Sequence, residues 1–166
     1  MAKKDMQRMR RRATKGRALM CLLAALMLGL VLFSGCDAGT EGLEDGYYTA
    51  QIAKPDHGWT EFMTICVNNG KIVTMEFQAK NASGFIKSWD MDYMRVMNAT
   101  DGTYPNEYVR VFTKQFLEKQ SSDIDVLTGA TDSYNNFKRL AAAVMEQAKL
   151  GDKTVKIVDT TDAESL

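Results

Sequence analysis

Histidine is nearly missing from this chain of 166 residues, which has His57 and no other. Of its three cysteines, Cys21, Cys36 and Cys66, only the last lies beyond position 36. One histidine without cysteine partners cannot assemble a zinc site, so no metal ligands are assigned. A lone thiol in the body cannot close an internal disulfide, and the fold has to stand on its core. Cys66 sits in an apolar stretch and is expected as a small buried hydrophobe. Internal repeats and low-complexity tracts are absent as well, which argues against a solenoid. No catalytic pairing of acids stands out either.

The first 35 residues read as an export signal. Eight basic residues between Lys3 and Arg17 meet a single acid, Asp5, and an apolar run over residues 18–33 follows. Sixteen residues of helix reach about 24 Å, short of the ~30 Å hydrocarbon layer, so the layout fits a cleaved secretory signal better than a membrane span. The run ends Leu32-Phe33-Ser34-Gly35-Cys36, which resembles the lipobox of bacterial lipoproteins, with Phe33 standing where leucine is usual. That resemblance implies a diacylglycerol on the Cys36 sulfur and cleavage just before it. The alternative is an uncleaved anchor with Cys36 an ordinary thiol. The location expected is the cell membrane, lipid-anchored, on the extracytoplasmic face. Residues 36–45, small and acidic with glycines, read as the lipidated cysteine and a flexible tether.

Removing the leader changes the charge balance. The whole chain is neutral with 21 residues of each sign; without the 8 basic residues and one acid of the leader, 13 and 20 remain, a net −7. An acidic body lacks the basic face that nucleic-acid binding requires. Membrane attachment is then left to the lipid. About 130 residues suffice for one domain with a sizeable core.

The pattern of the body is α+β in a single domain over residues 46–152, with a short strand and polar tail over 153–166. Tyr48, Ala50 and Ile52 alternate along a first strand, and Trp59, Met63, Ile65 and Val67 along a second, where Glu61 interrupts. Asn68-Asn69-Gly70 suits a type I′ reversal, after which Val73, Met75 and Phe77 should face inward. Helical signals follow. Met91, Met94 and Met97 recur at spacing three, more in keeping with flexible core filler than with a soft-metal site. Pro105 opens a helix that turns Tyr108, Val109, Phe112 and Phe116 inward. Phe137, Leu140, Ala141, Val144, Met145 and Ala148 form one apolar stripe closed by Gly151. Strands grouped before helices indicate α+β, not alternating α/β.

Between the last two helices runs Asp125-Val126-Leu127-Thr128-Gly129-Ala130-Thr131. Its glycine allows close backbone approach, and Thr131 falls at the opening of the strongest helix. The first turn of a helix carries N–H groups without internal partners and a partial positive charge, a seat for a phosphate. Thr131, Asp132 and Ser133 are all good capping residues, and one of them is expected to cap. An ordinary capped loop is the plainer account of the segment.

The segment resembles the flavinylation motif of the FMN-binding domain family, Asp-x-x-Ser/Thr-Gly/Ser-Ala-Ser/Thr. The Na⁺-pumping quinone reductase C subunit and the Rnf G subunit carry that domain, as do small single-domain lipoproteins. Asp125, Thr128, Gly129, Ala130 and Thr131 match all five constrained positions. Average residue frequencies give such a pattern in roughly one random chain of this length per thousand, so chance is a poor account of it. The resemblance implies FMN joined to Thr131 through a phosphodiester by a separate Mg²⁺-dependent flavin transferase. Asp125 to Ala130 would be what the transferase and the phosphate environment recognise. It further implies an electron carrier, served by a quinone-linked or flavin-bearing donor, and not an enzyme that itself turns over a small molecule. No membrane helices or partner modules like those of the pump subunits are present, which speaks against a pump role.

Asp56-His57-Gly58-Trp59 supplies two further candidates for contact with the flavin ring, His57 and Trp59. A turn with the tryptophan packed in the core is the plainer account of that stretch. Two other functions fit the same address: a ligand-binding or antigenic surface lipoprotein without flavin, and a flavin domain serving a separate reductase.

Overall fold

Asn69 and Gly70 take φ of 53° and 69°, the left-handed pair that a two-residue type I′ hairpin demands. They join β2 (Thr60–Asn68) to β3 (Lys71–Lys80) with Asn68 opposite Lys71. The computed structural model describes residues 42–160, all within one compact unit, Gly39–Leu166. The leader, Cys36 and the last six residues lie outside the described residues. β1 (Gly46–Ile52) pairs antiparallel with β2, and β4 (Lys156–Val158) pairs parallel with β1 on its other edge. The sheet order is β3-β2-β1-β4.

Three helices follow the hairpin: α1 (Met91–Asp101), α2 (Pro105–Lys119) and α3 (Thr131–Leu150). Asp90 caps α1 by accepting from the Tyr93 N–H at 2.9 Å, which satisfies one of the orphan donors of its first turn. Pro105 stands at the first turn of α2. Gly151, with φ 66°, closes α3 in the left-handed conformation. Helix α3 packs on β1 and β2, and α2 on β3, making a two-layer α+β domain with one core. Phe77, Phe112, Phe116 and Phe137 meet at its centre with ring centroids 5.2–6.5 Å apart. Such close, tilted aromatic pairs add stabilisation beyond the area they bury.

Several expectations change in three dimensions. Val73 is 48% exposed, and Ile72 takes the inward place. A register shift between Cys66 and Val67 makes Val67 face Ile72 while Cys66 faces Thr74, so Val73 is the extra residue of a β-bulge and the alternation slips. Cys66 is half-buried on the outer face of the sheet, across from Tyr47, and is not part of the core. Among the three methionines, Met94 is buried and Met97 packs against the core, but Met91 is 73% exposed. A spacing of three falls about 60° short of a full turn at each step, so three such residues fan around the helix.

Residues 43–45, expected as the end of the tether, are held in place. Leu43 is buried in the core, and the Glu44 N–H donates to the Ala148 carbonyl at 2.8 Å. Asp45 Oδ1 accepts from the Gly70 N–H at 3.1 Å. The described chain therefore enters beside the C-terminal end of α3, about 26 Å along that helix from Thr131.

Candidate functional site

Helix α3 begins at Thr131 with Ala130 as its cap residue, and no side chain caps it. The expected capping by Thr131, Asp132 or Ser133 does not occur. Thr131 and Asp132 are exposed, and Ser133 points its hydroxyl elsewhere, donating to Glu61 Oε1 at 2.7 Å. The first turn of α3 is thus left without a side-chain acceptor, with Thr131 exposed at its first position.

The residues before it explain this arrangement. Gly129 has φ 82°, and a Cβ there would lie 2.2 Å from the Asp101 carbonyl and 3.0 Å from Thr103 Cγ2. Only glycine permits both the left-handed backbone and the close approach to the end of α1. Ala130 is buried beneath the helix start, where a larger side chain would displace the core. Upstream, Gln115 clamps Asp125, accepting from its N–H at 2.7 Å and donating to its carbonyl at 3.3 Å. The Asp125 carboxylate lies outside, 3.3 Å from Lys119 Nζ; an ion pair that exposed contributes little to stability.

A cavity of about 340 Å³ opens beside the start of α3, at the lower end of the size range of small-molecule sites. Gly129, Ala130 and Thr131 line it, together with His57 and Trp59 from the turn before β2. Asp125 and Thr128 do not; both are exposed on the approach to the helix. The turn is a tight reversal in which Asp56 and Trp59 exchange both backbone hydrogen bonds at 2.9 Å. His57 sits at its tip with φ 47° and an almost fully exposed side chain. Trp59 is not core, contrary to the plainer expectation: half-buried, it meets Tyr93 edge-on with centroids 6.1 Å apart, and both rings line the cavity. An adjoining recess of about 470 Å³ shares Lys54, Asp56, His57 and Asp132 with it.

Reading the sequence missed several lining residues. Lys54 and Lys87 carry no local signal, since a loop and a short 3₁₀ turn (Lys87–Trp89) deliver them, and Tyr93 comes from the first turn of α1. Glu61 did leave a trace, as the acid interrupting an apolar alternation. It is 8% exposed. Burial raises its carboxyl above the usual value of 4.5, against the pull of Ser133, Asn136 and Lys87 toward the anion and with repulsion from Asp56. Tyr108 is likewise raised, chiefly by burial.

A raised acid keeps its proton in the folded state longer than in the unfolded chain. Its contribution to stability is complete below about pH 4.5 and is lost as pH climbs through the folded value. Glu61→Gln, which cannot ionise, should therefore melt together with the parent near pH 4.5. Near neutral pH it should be more stable than the parent, by on the order of 1–3 kcal/mol. Melting curves that stay superimposed across that range would contradict the assignment.

Among the described residues, no group of three or more His, Cys, Asp or Glu could hold a metal ion. No helix among them is long and apolar enough to cross a membrane.

No protein-family model matches the chain. It is 34% identical over 140 residues to the 15 kDa lipoprotein of Treponema pallidum (strain Nichols), covering 84% of this chain and 94% of that protein. The crystal structure of the CPE2226 protein from Clostridium perfringens superposes with a TM-score of 0.68 at 42% identity. That match covers 70% of this chain and 98% of the other.

Proposed function

This chain belongs to the family of the 15 kDa lipoprotein, and we propose that it is a membrane-tethered electron carrier with FMN joined covalently to Thr131. One observation carries the reading: an exposed threonine stands at the first position of a 20-residue helix that no side chain caps, on the lip of a cavity with two aromatic walls. The uncapped amides suit a phosphodiester. Lys54 and Lys87 line the same cavity together with Asp56, Asp101 and Asp132, and Lys87 Nζ sits 4.6 Å from the centre of the Tyr93 ring; the Trp59 side chain beside it is apolar surface on which a planar ring could pack.

When bound, FMN supplies one- and two-electron chemistry that no side chain offers. The protein's part is to hold the phosphate at Thr131, shelter the ring against Trp59, and set its environment. Asp125, Thr128, Gly129 and Ala130 present Thr131 to a flavin transferase, in keeping with the exposure of Asp125 and Thr128 on the approach. The lipid on Cys36 keeps the carrier at the membrane face. Electrons arrive from a quinone-linked or flavin-bearing donor. The described chain enters the domain near Ala148, at the other end of α3 from the cavity, which supports a site turned away from the lipid and available to an extracytoplasmic acceptor.

Intact-mass measurement tests the reading. Coexpressed with a flavin transferase in an exporting host, the parent should gain the mass of one FMN less one water, as the phosphodiester requires, and Thr131→Ala none. A parent protein of unmodified mass, or an alanine variant that still gains the full increment, would refute it.

A further inference from the structure

Six residues, 37–42, separate Cys36 from Leu43, where the chain enters the core. Even fully extended, that stretch spans no more than about 25 Å. A lipid on Cys36 therefore confines the surface around Leu43 to the neighbourhood of the bilayer. A surface restrained so closely needs little intrinsic affinity, because tethering makes its contact with the bilayer an intramolecular event. Its composition then decides how the domain sits.

Three parts of the fold meet where the chain enters. The Glu44 N–H donates to the Ala148 carbonyl, Asp45 Oδ1 accepts from the Gly70 N–H, and Lys153 Cε lies beside Gly46. The start of β1, the tip of the β2–β3 hairpin and the end of α3 thus share one end of the domain. Large apolar side chains stand out there: Leu150, on the last turn of α3, is 71% exposed, Tyr47 70% and Val155 58%. Lys149 and Lys153 flank Leu150, and among the described residues neither forms an ion pair. Three acids at this end are engaged by the fold. Asp45 holds the Gly70 N–H, Asp152 accepts from the Thr154 N–H at 3.0 Å, and Glu44 Oε2 crowds the side-chain position of Gly151. Glu146, exposed one turn before Leu150, marks where the acidic flank begins. Leucine and tyrosine among long cationic side chains suit a headgroup layer, where apolar parts point inward and ammonium groups stay level with the phosphates.

We propose that this end of the domain is a membrane seat. Leu150 dips into the headgroup layer of the bilayer that holds the Cys36 lipid, and Lys149 and Lys153 meet its phosphates. The seat rests on the lipid at Cys36 and not on the flavin. The lipid keeps the domain at the surface; the seat sets which way it faces. Leu150 and Thr131 are about 28 Å apart along α3, so a seated domain stands upright with its cavity away from the bilayer. A rival face exists at the far end of β3, where Phe85, Trp89 and Met91 are exposed. The ten residues of β3 put it about 30 Å from the hairpin tip, and a domain resting on it would lie on its side.

The chain's two tryptophans, Trp59 and Trp89, both belong to that far end, which gives the test its contrast. Mature protein from an exporting host, with the lipid on Cys36 verified by mass, is reconstituted into vesicles of phosphatidylethanolamine and phosphatidylglycerol. The acyl chains carry bromine near the headgroup. Emission of the parent should match that on unbrominated vesicles. Leu150→Trp, at an exposed position, should add a blue-shifted emission that bromine quenches. Reversing both charges in that background, Lys149→Glu with Lys153→Glu, should restore most of the lost emission. A tryptophan at position 150 that stays bright on brominated vesicles overturns the seat. Quenching in the parent does so too, since it would lay the far face on the bilayer instead. Quenching indifferent to the charge reversal overturns the part given to the lysines. Protein exported without a lipid on Cys36 removes the tether and the seat together, whereas lipidated protein that stays bright removes the seat alone.

Discussion

Phe137→Ala is expected to lower the stability of the domain by about 3–5 kcal/mol, the range for removing a fully buried aromatic ring. Phe137 lies on α3 with no exposure to solvent. It touches all three of the other central rings, Phe77 edge-on at 5.2 Å, Phe112 at 5.4 Å and Phe116 at 5.8 Å. These come from β3 and α2, so a single ring couples the sheet to both large helices. Close packing leaves neighbours little freedom to fill the space. Denaturant titration should show a lower midpoint with an unchanged slope, because the surface exposed on unfolding hardly differs. Phe137→Leu should lose much less, since it keeps most of the volume. An alanine variant within about 1 kcal/mol of the parent would mean that the core is loosely packed there.

Gly129→Ala should be nearly as damaging and should act on the site as well as on the fold. A methyl group 2.2 Å from the Asp101 carbonyl cannot be accommodated without moving backbone, and the left-handed φ of 82° penalises any side chain in addition. About 3 kcal/mol is the expected loss, a fall in Tm on the order of 10 °C for a domain of this size. The backbone that must shift is the residue pair leading into Thr131. On the flavin reading, the FMN increment at Thr131 should drop well below that of the parent, even at temperatures where the variant is folded. Mass spectrometry after coexpression with the transferase, set beside a thermal melt, separates the two effects. An alanine variant that melts with the parent would show that the contact with α1 yields easily.

Much of this architecture was readable along the chain because its signals are local. The Asn-Gly turn, the proline opening α2, the stripe from Phe137 to Ala148 and the glycine closing α3 each depend on backbone preferences or on a single period. The failures share a different character. Val73 was assigned inward by counting in twos, and one bulge residue undid the count. Met91 was grouped with two other methionines by a spacing that drifts around a helix. Cys66 looked like core because its neighbours are apolar, yet the next residue along a strand always faces the other way. Capping of α3 was assigned to one of three suitable side chains, and the structure turns Ser133 to Glu61, a partner 72 residues distant in sequence.

The sequence by itself determined the order and type of the elements, the acidic body, and the presence of Thr131 in a glycine-containing segment before the last helix. Those properties follow from preferences acting over a few residues. Only the tertiary structure decided that Trp59, Tyr93 and Glu61 would surround that segment, and that Glu61 would be buried with one oxygen unpaired. Such neighbours are set by which faces of strand and helix pack together, and by how far apart charges and solvent then lie. Neither quantity exists until the chain has folded.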